Sequence, residues 1–178
     1  MSTIKVNNIE NRTGSSITIG GSSTTSLNLA STITGGTLTN TPAFYAKNGA
    51  NQTITSGSNT KVLFATEDFD TDNCYTSSTF TPTTAGKYFI HTQINFDINA
   101  TTNSIEVRVH KNGTMVVKSR KTHYYGNSQQ TYIISTIQEA NGTSDYFEIY
   151  TSQNSGSDRT LVGDAAQTYF TAYRLIGA

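Results

Sequence analysis

From Phe80 to Asp97 the chain reads Phe-Thr-Pro-Thr-Thr-Ala-Gly-Lys-Tyr-Phe-Ile-His-Thr-Gln-Ile-Asn-Phe-Asp. An aromatic residue leads into a turn at Pro82 and Gly86, and a strict alternation follows. Tyr88, Ile90, Thr92, Ile94 and Phe96 fall on one side, and Phe89, His91, Gln93, Asn95 and Asp97 on the other. Side chains of a strand point alternately to its two faces, so this pattern predicts a long strand with one buried face. The same period predicts strands over Ala43–Lys47, Lys61–Phe69, Ile105–Lys111, Thr114–Arg120, Gln130–Gln138, Asp145–Ser152 and Gln167–Leu175. Ile105, Val107 and Val109 oppose Glu106, Arg108 and His110, while Phe147, Ile149 and Thr151 oppose Tyr146, Glu148 and Tyr150. Lys111-Asn-Gly-Thr114 predicts a tight hairpin, because Asn-Gly tolerates the positive φ angles such a turn needs, and Asn141-Gly142 predicts a second turn. No segment holds a 3.6-residue period, so essentially no helix is expected. Many short strands separated by turns predict a sandwich or barrel.

Residues 1–41 follow a different pattern. They contain no aromatic residue, and their apolar positions come in small sets: Ile4, Val6 and Ile9, then Ile17 and Ile19, Leu27 and Leu29, Ile33 and Leu38. Gly and Ser/Thr runs separate the sets. Such a segment can be a flexible linker. It can also be a thin stalk or anchor in which several chains wind round one axis, each offering a few aliphatic side chains. The regular spacing favours the second, since a linker has no need of those residues. The predicted division is therefore an anchor or stalk over 1–41 and a β domain over 42–178.

Composition sharpens this picture in three ways. Only 13% of residues are charged and the formal net charge is zero, which argues against nucleic acid as a partner, since that needs a basic stripe. The apolar fraction is 34%, low enough to fit a protein that completes its core by oligomerising. No apolar run approaches the roughly 20 residues of a membrane helix, so membrane insertion is not expected. The start, Met1-Ser-Thr-Ile-Lys-Val, has no apolar signal-peptide core. Any extracellular role would then need a route other than the usual secretory signal, for instance release by lysis inside an assembled particle.

Five segments, taken in order, resemble the C1q/tumour-necrosis-factor-like jelly roll. Pro42-Ala-Phe-Tyr-Ala46 is similar to that family's opening strand. Phe80-Thr-Pro…Ala-Gly-Lys-Tyr-Phe89 resembles its F-x-x-P-x-x-G-x-Y-x-F unit, with one extra residue between Pro82 and Gly86. Val107-Arg-Val-His-Lys-Asn-Gly113 resembles its V-x-L-x-K-N-G hairpin, and Asn141-Gly-Thr-Ser-Asp-Tyr-Phe-Glu-Ile149 its L-x-x-G-D-x-V-x-L strand. Tyr169-Phe-Thr-Ala-Tyr-Arg-Leu175 is similar to the closing strand, with Ala172 where glycine is usual. The resemblance implies a compact homotrimer of jelly rolls, with the first and last strands packed against neighbouring subunits. Phe44, Tyr169, Phe170, Tyr173 and Leu175 are the candidate interface residues. Bulky residues on both faces of the closing strand would also fit burial between two sheets of one chain. Met1 to Gly21 resembles the leader of small tail-fibre or appendage proteins of marine bacteriophages. That resemblance implies attachment to other particle proteins through residues 1–41, with Ile4, Val6, Ile9, Ile17 and Ile19 as anchor candidates.

The residues offer little for catalysis. Cys74 stands alone, so no intramolecular disulfide is possible, and no basic partner that would activate it is near in sequence. His91, His110 and His123 lack zinc-site spacing. Asp70 and Asp72 have the alternating oxygens of a calcium loop but not its glycine or terminal glutamate. An acidic, solvated turn is the preferred reading, with calcium as a weak alternative and no other cofactor. Lys118, Arg120 and Lys121, followed by His123, Tyr124 and Tyr125, form the chain's basic and aromatic cluster. Aromatic faces stack on sugar rings and basic groups meet acidic sugars or phosphates, although the same residues would also serve as a solvated strand end and its loop. Asp158 and Arg159, in a stretch over Ser152–Val162 read as an exposed loop, are further receptor candidates.

The sequence thus predicts a non-enzymatic virion protein. Its expected form is a trimeric tail-fibre or appendage protein whose head binds a host-surface glycan or protein, made in the host cytoplasm. The alternatives are a capsid decoration protein, a soluble C1q-like recognition protein of cellular origin and, last, a sugar-active enzyme.

Overall fold

In the computed structural model the described residues are 40–98, 103–123 and 128–176, with the side chains of Asn103 and His123 excepted. The anchor candidates Ile4, Val6, Ile9, Ile17 and Ile19, and the loop residues Tyr124 and Tyr125, lie outside them. Antiparallel strands build two sheets. The strands are β1 (Ala43–Lys47), β2 (Gln52–Ile54), β3 (Thr60–Lys61), β4 (Thr66–Asp70), β5 (Tyr75–Thr76), β6 (Thr79–Phe80), β7 (Gly86–Ile98), β8 (Asn103–Lys111), β9 (Thr114–His123), β10 (Ser128–Ala140), β11 (Phe147–Gln153), β12 (Arg159–Leu161) and β13 (Tyr169–Arg174). No helix occurs among the described residues.

β7 is the spine of the first sheet. β10 pairs along its whole length, from Ser128↔Ile98 to Ala140↔Gly86. On its other edge β13 covers Tyr88 to Gln93 and β12 covers Phe96 and Asp97. β1 and β4 extend the sheet beyond β13, and β2 extends it beyond β12. The second sheet runs β5-β6-β11-β8-β9, with β3 also pairing to β11. The face predicted to be buried on β7 is buried: Tyr88, Ile90, Thr92, Ile94 and Phe96 are all inaccessible to solvent. They meet Ile105, Val107 and Val109 of β8 and Phe147 and Ile149 of β11 in one core. The polar members of that layer are satisfied, as where Thr92 Oγ1 donates to the Tyr169 carbonyl at 2.7 Å.

Two expectations are corrected. The strand expected over Lys61–Phe69 is broken, because the chain there leaves the second sheet, where β3 pairs with β11, and enters the first, where β4 pairs with β1. Val62 and Phe64 stay buried during the crossing, which is why alternation alone could not reveal it. The stretch expected as an exposed loop over Ser152–Val162 contains β12, and Leu161 and Gln153 are buried. Gln153 ties the stretch down by donating through Nε2 to the carbonyls of Ile54 and Ser157.

Both predicted turns form, by different means. Asn112 and Gly113 have φ of 53° and 76° and close the β8–β9 hairpin. Asn141 caps its own loop instead, its Oδ1 accepting from the amides of Thr143, Ser144 and Asp145. Gly142 beside it has a φ of 72°, and a Cβ there would lie 2.2 Å from the Ala85 nitrogen. Gly142→Ala would therefore add a left-handed strain and a clash against backbone. A loss of about 2–4 kcal/mol is expected in urea unfolding.

Candidate functional site

The second sheet turns a polar face to solvent, and the β8–β9 hairpin decides what stands on it. The pairing shifts by one residue between Val109 and His110, so that Val117, not Val116, faces Val109. Without this bulge Lys118 and Arg120 would pair with Val107 and Ile105 and point into the core. With it, Arg108 faces Lys118 and Glu106 faces Arg120 on the outer side. Four charged side chains thus converge. Arg108 donates from Nε and Nη2 to Glu106 Oε2, at 2.9 and 2.5 Å. Lys118 Nζ reaches Glu106 Oε1 at 3.5 Å, and Arg120 Nε lies 3.8 Å from the same atom. The Arg108 hydrogen bonds, with the neighbouring positive charges, hold the Glu106 carboxyl below its usual pKa. Glu106, Arg108 and Arg120 border a recess of about 230 Å³ whose rim is completed by Asn59, Ser104, Ser152 and Asn154.

The basic candidates therefore divide. Lys118 and Arg120 stand on this face, joined by Glu106 and Arg108, which the sequence reading left out. Lys121 belongs to the opposite face, its Nζ 5.6 Å from the centre of the Tyr132 ring. Arg159 opens β12, opposite Ile54, and does not line the recess, while Asp158 is exposed.

The first sheet presents a different outer surface. Its rings form a chain across four strands: Phe69 with Tyr45 at 6.4 Å, Tyr45 with Tyr169 at 5.3 Å, Tyr169 with His91 at 5.6 Å, His91 with Phe89 at 6.2 Å and Phe89 with Tyr173 at 5.4 Å. Ile133 and Ile137 of β10 continue the surface, 52% and 56% exposed. Formal charges on it are few: Lys47, opposite Tyr169 and paired to Asp68 at 2.6 Å, and, near the ends of the β7–β10 pair, Lys87, Asp97 and Glu139. Aromatic enrichment with charge depleted at the centre is the make-up of an interface core. Of the interface candidates, Tyr169 and Tyr173 stand on this surface. Phe44 and Phe170 do not: both point into the sandwich and are fully buried, their rings 4.8 Å apart. Leu175 follows β13, half-buried, its amide bound to the Lys87 carbonyl at 2.8 Å.

The acidic turn has a structural use. Asp70 accepts from the amides of Cys74 and Tyr75, at 3.1 and 2.8 Å, and from the Cys74 thiol at 3.1 Å. Asp72 Oδ2 accepts from the Thr71 hydroxyl at 2.9 Å. Asp70 thereby orders the turn that leads into β5, and these hydrogen bonds lower its pKa against the opposing effect of burial. Burial, with the adjacent Asp70, pushes the Cys74 thiol far up, opposite to what a nucleophile requires.

Two histidines make the fold sensitive to acid. His91 sits between Ser135 Oγ, 2.7 Å from Nδ1, and Tyr169 Oη, 3.2 Å from Nε2. His110 is buried against Tyr150, ring centres 4.2 Å apart, with Nε2 unpartnered among the described residues. Burial lowers both pKa values from the ordinary 6.5. The unfolded chain then binds these protons first, so their contribution is intact above pH 6.5 and is lost as pH falls from there through the folded pKa values. Thermal unfolding should show a first drop starting near pH 6.5. Asp70, Glu106 and Asp145, whose pKa values are lowered, should add a second drop below about pH 4. Replacing both histidines with glutamine should flatten the first drop alone.

No known family's sequence model and no curated protein sequence matches the chain. Solved structures do. The Eiger TNF of S. frugiperda superposes with a TM-score of 0.55 at 8% identity, over 76% of this chain and 93% of that one. Murine APRIL at pH 5.0 gives 0.57 at 10% identity, over 75% and 98%. The globular domain of zebrafish complement 1qA protein gives 0.51 at 11% identity, over 75% and 96%. At such identities the likeness is one of fold, and the fold is the C1q/TNF-like jelly roll.

Proposed function

We propose that the protein is a non-enzymatic component of a bacteriophage particle, a homotrimeric head attached through residues 1–41 and turned outward to meet a molecule of the host surface. The observation that carries this reading is the outer surface of the first sheet. Phe69, Tyr173, Ile133 and Ile137 are between 36% and 56% exposed, and the sparsely charged middle of the sheet connects them. Contiguous apolar surface of this kind marks an interaction site, and two further copies of the same chain, arranged round a three-fold axis, are the occupant. Closed cyclic assembly would bury one such surface per subunit. The aliphatic sets of residues 1–41, brought together in threes by the head, would then have partners for a common stalk.

A non-enzymatic role agrees with the electrostatics. The carboxylate of the recess, Glu106, is held ionised by its cations, which unsuits it as a proton donor. The particle context is supported by the leader's resemblance to phage appendage proteins and by the sparse charge of the chain. Tail fibre is the first placement and capsid decoration the second. Imaging intact virions with an antibody raised against residues 42–178 tests the reading. Label at the tail supports the fibre placement and label over the shell the decoration placement. A trimeric head that labels no particle contradicts the virion reading and favours a soluble recognition protein.

A further inference from the structure

We propose that the recess on the second sheet binds one carboxylate-bearing sugar unit, a uronic or sialic acid, at the surface the head meets; this deepens the host-recognition reading and rests on it. Three observations point to an anion. Arg108, Lys118 and Arg120 surround a single carboxylate, Glu106, which leaves two uncompensated positive charges in a chain whose formal net charge is zero. Glu106 is itself sheltered, its side chain only 12% exposed, and it orders the cations around it at the wall of the recess. Both guanidiniums are anchored through their Nε atoms: Arg108 on Glu106 at 2.9 Å and Arg120 on Ser104 Oγ at 2.5 Å. Arg108 Nη2 is further fixed by Ser152 Oγ at 3.0 Å. The terminal nitrogens of Arg120, whose side chain is 54% exposed, are thereby oriented towards whatever enters. A planar, pre-oriented fork is the geometry that recognises a carboxylate through two parallel hydrogen bonds.

The rest of the lining favours a sugar over a bare anion. Asn154 Oδ1 accepts from the Ser104 amide at 2.8 Å, and the Asn154 and Asn59 side-chain amides border the same opening. Amides and hydroxyls that both donate and accept match ring hydroxyls, which do the same. The volume, about 230 Å³, lies below the roughly 300–1,000 Å³ of sites that enclose a drug-sized ligand. It suits one ring, with the remainder of a glycan leaving through the open side.

The test uses the full-length protein and four probes: methyl glucuronide, the methyl glycoside of N-acetylneuraminic acid, methyl glucoside and inorganic phosphate, each titrated by NMR or calorimetry. At least one acidic sugar should bind, methyl glucoside and phosphate should bind about tenfold or more weakly, and Arg120→Gln should weaken the acidic sugar by about tenfold or more. Because Arg120 is largely exposed, its variant should keep the wild-type melting temperature and mass. Equal binding of glucoside, phosphate as the tighter ligand, or an undiminished Arg120→Gln variant would each overturn the proposal. A correctly assembled trimer that binds none of the four also overturns it, while the particle reading stands or falls separately on virion labelling.

Discussion

A head carrying Ile133→Glu and Ile137→Glu is expected to fold and to remain monomeric. Both residues lie on β10 in the outer face of the first sheet, opposite Gln93 and Phe89. Each is more than half exposed in the protomer, so glutamate there meets water and alters the stability of the isolated chain by no more than about 1 kcal/mol. In the assembled protein the same positions would face another copy. A carboxylate with no partner costs several kcal/mol to desolvate, and symmetry repeats that cost in every subunit. At micromolar concentration the trimer should give way entirely. Circular dichroism and thermal unfolding would show an intact β domain beside the changed mass. A trimer that survives both substitutions would place the interface elsewhere.

The second large effect lies on the other face of the same sheet. Phe44 stacks on Tyr75 with ring centres 4.4 Å apart, leans on Phe80 at 4.8 Å and meets Phe170 edge-on at 4.8 Å. It joins β1 and β13 of one sheet to β5 and β6 of the other. Phe44→Ala would remove the ring and leave a cavity that Ala46 and Ala172, both small, cannot fill. A loss of about 3–5 kcal/mol in urea unfolding is expected, a large part of the roughly 5–15 kcal/mol that holds a typical domain together. Tyr45→Ala, one residue along and on the opposite face, should cost the protomer clearly less. This pair separates core packing from assembly, which the bulk of the first and last strands alone did not.

That ambiguity shows what a single sequence discloses here. The buried face of β7, the Asn112-Gly113 turn and the inward sets of β8 and β11 follow from local alternation and turn chemistry, and all are legible. The five-segment resemblance also leads to the right fold. β12 escapes because Arg159-Thr160-Leu161 is too short to show a period. The crossing from β3 to β4 escapes because Val62 and Phe64 keep alternating while the chain changes sheets. The recess on the second sheet is half legible. Lys118 and Arg120 stand out as a basic cluster, but their side depends on the bulge between Val109 and His110, which reverses the facing of everything beyond it on β9. A signal was present: pairing outward from the Asn-Gly turn without a bulge would send two cations into the core, and that contradiction demands one. Glu106 and Arg108 would then have joined the cluster, and Lys121 would have left it.

On the proposed reading, two further copies of the chain cover the aromatic outer face of the first sheet. Light scattering coupled to size exclusion, at micromolar protein and neutral pH, tests it most directly. A single species of three times the 19.3 kDa chain mass is expected, and a stable species at the mass of one chain would contradict the trimer.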